Sequence, residues 1–182
     1  LEKRRWLLLD FDSKRPKNTS ATEQQLAAAE QLTQQAYRHL EELRLPKPAV
    51  VLSGNGYHLW LPLADWANDE ISRWACERFL SQLAEQFKGD GAHLDVGMWN
   101  AARIATLPGT LKRKGSNLAN HPHRMAKILA MPDAKRRASL EQILAIVGQP
   151  PAKQTAAPAT NGSGWDVEAL LTQRGLAYQK DS

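Results

Sequence analysis

The run Trp6-Leu7-Leu8-Leu9-Asp10-Phe11-Asp12 sets the tightest limit on what this chain can fold into. As a strand it alternates faces with a period of two, so Asp10 and Asp12 leave its end on the same side. Two carboxylates about 4 Å apart repel by roughly 4 kcal/mol at an effective dielectric near 20, so the pair calls for a cation. A divalent metal is the natural candidate. Taken alone, the pair also reads as a loop-starting aspartate beside one that accepts backbone hydrogen bonds, and support must come from elsewhere in the chain.

With 182 residues and 42% hydrophobic content, the chain can bury one sizeable core and carry a small appendage. The lone cysteine, Cys76, falls in a helical pattern with Ile71, Trp74, Ala75, Phe79, Leu80 and Leu83 and reads as core. The sequence shows no disulfide framework and no zinc-ligand cluster. No apolar stretch approaches the roughly 20 residues of a membrane span, and the start lacks a signal-peptide pattern. The expectation is therefore a cytoplasmic protein with no membrane partner. The chain opens at Leu1, almost directly in a strand, which suggests N-terminal truncation.

The formal charge is +5, and it is unevenly spread. Residues 112–137 hold eight basic side chains against the single acid Asp133, a local +7 that leaves the remainder at −2. A basic strip on a near-neutral body suits a polyanion, although the same charges also serve an ordinary solvated surface.

After the first strand, Ser13 to Asn18 reads as a loop, and Ser20 with Glu23 forms a capping-box pattern that starts a helix ending before Pro46. Ala49 to Leu52 reads as a buried strand, Ser53 to Gly56 as a glycine-rich turn and Tyr57 to Leu63 as its hairpin partner. A second amphipathic helix runs from about Asn68 to Phe87. Residues 88–115 read as irregular, and Ser139 to Val147 as a closing helix. This order predicts an α+β fold: a mixed sheet with helices on one face and the other face free. The domain spans 1–147, a linker 148–164 and a further module or tail 165–182.

Three further segments carry chemistry. In Ser53-Gly54-Asn55-Gly56-Tyr57-His58, glycines let an anion approach the main chain, Ser53 and Asn55 add donors, and His58 projects toward the open face. Tyr57, Leu59 and Leu61 take the core face. Leu94-Asp95 adds a third carboxylate, and oxygen ligands from Asp10, Asp12 and Asp95 suit Mg²⁺ or Mn²⁺. Arg103, before the Pro108-Gly109-Thr110 turn, can brace a triphosphate or the acids. Lys112, Arg113 and Lys114 can meet nucleic-acid phosphates.

In combination and order, these segments resemble the archaeo-eukaryotic primase superfamily, particularly the primase-polymerase domains of phages, plasmids and mobile elements. Asp10-Phe11-Asp12 is similar to its first motif, Ser53 to His58 to its second, Leu94-Asp95 to its third, and Arg103 to Lys114 to the arginine-to-lysine stretch that follows. Two positions depart from the pattern: Lys112 stands where asparagine is usual, and Ser53 lies farther from His58 than in the compact form. The resemblance implies an RRM-like catalytic core and a nucleotidyltransferase that forms phosphodiester bonds on a single-stranded DNA template. It implies Asp10, Asp12 and Asp95 as metal ligands for Mg²⁺ or Mn²⁺. It further implies Ser53, Gly54, Asn55, Gly56, His58 and Arg103 as contacts to nucleoside triphosphates, and a helicase region or protein as partner. The competing expectations are a non-catalytic DNA-binding module of a replication initiator, or another Asp-x-Asp metal enzyme such as a nuclease.

Overall fold

The computed structural model describes residues 2–133 and 135–151. The expected module at 165–182, and the linker beyond residue 151, lie outside them. Strand β1 (Lys3–Ser13) is followed by α1 (Glu23–Glu42), the hairpin β2 (Ala49–Leu52) and β3 (Gly56–Ala67), and α2 (Glu70–Gln86). Then come β4 (Ala92–Leu94), a single 3-10 turn (Val96–Trp99), β5 (Leu111–Lys112), β6 (Arg124–Met125), β7 (Lys127–Ala130) and α3 (Leu140–Val147).

The fold is α+β, as the pattern of elements predicts. Its main sheet has five strands in the order β4-β1-β3-β2-β7. All four pairings are antiparallel, which replaces the expected mixed sheet. The parallel component among the described residues is one isolated bridge, Leu63 to Ala138, where the chain returns along the far end of β3 before entering α3. Trp66 Nε1 secures that crossing by donating to the Ala138 carbonyl at 2.9 Å.

Alternation along β1 sorts its side chains cleanly. Leu7, Leu9 and Phe11 are buried and meet Leu59, Leu61 and Leu63 of β3 in one cluster. The same cluster takes Leu26, Ala29, Leu32, Ala36 and Leu40 from α1 and Ala75, Phe79, Leu80 and Leu83 from α2. These helical positions recur every three or four residues, so one stripe of each helix is dry. Each fully buried leucine in that layer contributes about 1.5–3 kcal/mol. The opposite, helix-free face of β1 carries Trp6, Leu8, Asp10 and Asp12.

Helix α1 starts later than its sequence suggests. Thr22 is the N-cap and pairs reciprocally with Gln25, whereas Ser20 is fully buried and donates to the Lys114 carbonyl at 3.1 Å. Both serine and threonine suit a cap; Ser20 is taken by a segment far away in sequence. The closing helix α3 lies where the sequence predicts it, with Ser139 as its N-cap.

Two buried acids of high intrinsic pKa make the fold sensitive to alkali. Burial, then the neighbouring Glu30 carboxylate, pushes the Tyr57 hydroxyl up to about 12 from 10.0. Burial likewise pushes the Cys76 thiol up to about 11 from 9.0. A folded pKa above the unfolded one contributes stability below the unfolded value and loses it as pH rises through the folded value. The denaturation midpoint should therefore fall between about pH 9 and 12. A flat midpoint across that window would contradict both burials.

Candidate active site

Register brings the distant acids together. Asp10 of β1 faces His58 of β3, and their side chains approach to 3.4 Å between Asp10 Oδ1 and His58 Nε2. On the other side of β1, Phe11 pairs with Leu94 and Asp12 with His93 of β4. One residue past the end of that ladder, where Asp95 caps the 3-10 turn, its amide donates to the Asp10 carbonyl at 2.8 Å. Asp10 is thus flanked by His58 of β3 on one side and, on the other, by Asp95, the residue that follows β4.

Each carboxylate already has a partner. Asp12 takes a forked contact from Arg15, whose Nη1 lies 3.0 Å from Oδ1 and Nη2 3.4 Å from Oδ2. Arg15 is almost fully buried and is held further by the carbonyls of Ser13 and Thr19, so it pins the loop after β1. Asp95 accepts from the Gly97 amide at 2.8 Å, which caps the 3-10 turn, and from Arg103 at 3.0 Å. Among the described residues, no three His, Cys, Asp or Glu side chains stand together as a ready-made ion site. The backbone register and the oxygen chemistry suit a hard divalent ion. The side chains as they stand are turned toward protein cations instead.

His58 is almost completely buried, and its second ring nitrogen is engaged as well. Trp60 Nε1 donates to His58 Nδ1 at 3.4 Å. An indole nitrogen only donates, so Nδ1 acts as acceptor and the neutral ring carries its proton on Nε2, the atom facing Asp10. The chain thereby holds an N–H aimed at Asp10.

A cleft of about 480 Å³ opens over Asp10, Asp12 and His58. Ser53 and Asn55 line it from the hairpin turn, and Lys112, Arg113 and Lys114 from the β5 side, with Arg15 at its base. Four cationic and two acidic side chains border it, so it favours an anion overall. The volume is that of an ordinary small-ligand site. Lys112 Nζ donates to Thr106 Oγ1 at 2.7 Å, which steadies the segment that roofs the cleft.

The turn glycines serve packing. Gly54 has φ +101°, and a Cβ there would lie 2.6 Å from Lys112 Cβ; at Gly56 it would lie 2.1 Å from the Phe11 carbonyl oxygen. The absent side chains let β1 and the Lys112 segment close on the hairpin. Asn55 works in the same way: its Oδ1 accepts from the Ala21 amide at 2.8 Å and its carbonyl from Ser13 Oγ at 2.9 Å. Its Nδ2, buried at the cleft wall, has no partner. Asn55→Ala would strand the Ala21 N–H and should lower stability by about 1–3 kcal/mol, read from the urea midpoint. An unchanged midpoint would mean that the hairpin turn does not anchor α1.

Of the sequence-predicted residues, the cleft gathers Asp10, Asp12, Ser53, Asn55, His58, Lys112, Arg113 and Lys114. Gly54 and Gly56 shape its wall, while Asp95 and Arg103 stand beside it on the β4 side. The basic strip stays together only in part. Arg124 of β6 pairs with Lys112 of β5, but its guanidinium is clamped to Glu23 at 2.6 Å and to the Ala21 carbonyl at 2.6 Å. Lys127 lies on β7, at the far edge of the sheet. Arg15 and Trp60 were not singled out by sequence reasoning, although Arg15, three residues past Asp12, carried the signal of a local cation.

No protein-family model matches the chain, and no curated protein is similar to it. Among solved structures it is similar to the polymerase domain of Ligase D from Mycobacterium tuberculosis, determined in complex with DNA. Identity is 17% and the TM-score 0.44, over 79% of this chain and 51% of that one. The chain spans about half of that chain's length. A likeness this distant leaves the function to be argued from the site itself. Among the described residues, no helix is long and apolar enough to cross a membrane.

Proposed function

We propose that the described domain is a template-directed nucleotidyltransferase of the primase-polymerase kind, joining nucleoside triphosphates on a single-stranded DNA template. The observation that carries this reading is Asp10 flanked by His58 of β3 and by Asp95, the residue after β4, beside a cationic cleft. In this reading Asp10, Asp12 and Asp95 would hold Mg²⁺ or Mn²⁺, with Arg103 and Arg15 releasing the carboxylates they now pair with. Such ions would supply activation of the attacking hydroxyl and charge stabilisation of the departing pyrophosphate.

The chain's own groups do the rest. His58 directs its Nε2–H toward the reacting phosphates, while Ser53 offers a donor at the cleft wall and Asn55 holds the turn in place. Lys112, Arg113 and Lys114 draw in the polyphosphate and the template backbone. Arg103, freed from Asp95, can pair with a phosphate oxygen instead. Positioning and electrostatics account for most of the acceleration in phosphoryl transfer, and the cleft contains the parts for both.

A specific observation favours a second reading. The fully paired carboxylates are what a purely structural set of acids would look like, so a non-catalytic DNA-binding module remains the competitor. Labelled nucleotides incubated with template, Mn²⁺ and the chain separate the two. Growth of a labelled product supports the transferase, shortening of the strand indicates a nuclease, and binding without either indicates the module.

A further inference from the structure

Next to the catalytic cleft, the open sheet face carries a second groove that none of the chemistry above uses. It has a volume of about 380 Å³, and Ala105 borders both, so the two are neighbours. Its floor is aromatic. Trp6 of β1 and Trp60 of β3 meet edge to face, with ring centroids 6.3 Å apart and planes at 71°. Trp6 is 42% exposed, an unusual place for a residue of that size on a sheet whose other face supplies the core. The Trp60 ring continues the row to His58, with centroids 6.4 Å apart.

The rim of the groove is cationic. Lys3, Arg4, Arg5 and Arg103 line it. Arg4 is 7% exposed and its Nη1 donates to the Trp99 carbonyl at 2.6 Å, and Arg103 is paired with Asp95, so the free charge of the rim is that of Lys3 and Arg5. Arg5 reaches Asp65 at 3.4 Å, but both side chains are largely exposed, so that pair holds little of its charge. Exposed aromatic faces flanked by positive charge bind single-stranded nucleic acid by stacking its bases and pairing its phosphates. A protein partner would account for the apolar floor but not for the exposed cations Lys3 and Arg5 beside it.

We infer that Trp6 and Trp60 form a stacking platform for unpaired bases of the strand that enters the catalytic cleft, with Lys3 and Arg5 as its phosphate contacts. Trp6 lies four residues along β1 from Asp10, about 13 Å at the rise of a strand. One bound strand can therefore touch the platform and the acidic residues together. The inference rests on the proposed function only for its choice of a nucleic-acid ligand.

The test is strand binding by the full chain in the absence of metal and nucleotide, which reads the platform even where no incorporation is found. Oligothymidylate and an abasic deoxyribose-phosphate strand of equal length are compared across a range of salt. The wild type should bind oligothymidylate about tenfold or more tightly than the abasic strand, the size of effect that one base–aromatic stack gives. Trp6→Ala should remove most of that difference without changing the slope of log affinity against log salt, and Trp6→Phe should keep it. Lys3→Ala with Arg5→Ala should shallow the slope for both strands. A wild type that does not distinguish the strands overturns the inference with no variant needed. So does Trp6→Ala weakening both strands equally. If Trp6→Ala abolishes self-association of the chain and leaves strand binding unchanged, the face is an interface between copies and the inference fails.

Discussion

Asp10→Asn is expected to abolish nucleotide incorporation, by about a thousandfold or more, while leaving the fold and strand binding in place. Asp10 is held from both sides: His58 of β3 lies 3.4 Å from its carboxylate, and the Asp95 amide, just past β4, donates to its carbonyl at 2.8 Å. Asparagine has nearly the same shape and retains an oxygen to accept the His58 Nε2–H. What it removes is the negative charge beside His58. The urea midpoint should therefore move little, while labelled product disappears. Incorporation at the wild-type rate would take Asp10 out of the chemistry and leave its pairing with His58 as a structural contact.

Phe11→Ala should have the largest effect on stability, about 3–5 kcal/mol. Phe11 has no exposed surface and sits between the two aspartates with its ring on the opposite, helix-covered face. Its backbone also anchors both neighbouring strands, pairing with Tyr57 of β3 and Leu94 of β4. A domain of this size should lose about 10–20 °C in Tm for such a change. Incorporation at permissive temperature should fall with it, because the same residue sets the register that aligns Asp10 with His58 and Asp95. A Tm drop of only a degree or two would mean that the helices do not pack on β1 as described.

How much of this could be read in advance follows from where each element gets its information. β1, α1, the β2–β3 hairpin, α2 and α3 show periodicity of their own, two or about 3.6, and the sequence places all five within a few residues. β4 is three residues long, β5 and β6 two each, and β7 is exposed along its whole length. Such strands exist because a partner edge holds them, so nothing in their own side chains announces them. β7 carries the further signal of exposed Ile128 and Leu129, which reads as loop when burial is unknown. The expected mixed sheet failed for the same reason: with β4 and β7 unseen, the order of strands could not be built.

The site divides along the same line. That Asp10 and Asp12 share a face follows from period two alone, and that His58 leaves β3 opposite Tyr57 and Leu59 follows likewise. Which residue faces which across the sheet depends on hairpin register and on β4, and the sequence contains neither. The ionic partners were harder still. Arg15 reads as part of a loop, and Arg103 reads as a brace for acids or a triphosphate, with nothing in the sequence that assigns their contacts to Asp12 and to Asp95. How the charges of the basic strip are spent is a tertiary fact, since Arg124, although opposite Lys112 on the next strand, is paired with Glu23 at the start of α1.

The central claim is that the acids now paired with His58, Arg15 and Arg103 serve a divalent ion when a nucleotide arrives. Crystals of the chain soaked with Mn²⁺ and a non-hydrolysable nucleoside triphosphate, measured for anomalous scattering, test it most directly. The account predicts a manganese peak bonded to oxygens of both Asp10 and Asp95, with Arg103 turned away from Asp95. Manganese bound elsewhere, with the Arg103 contact to Asp95 intact and nucleotide in the cleft, would contradict it.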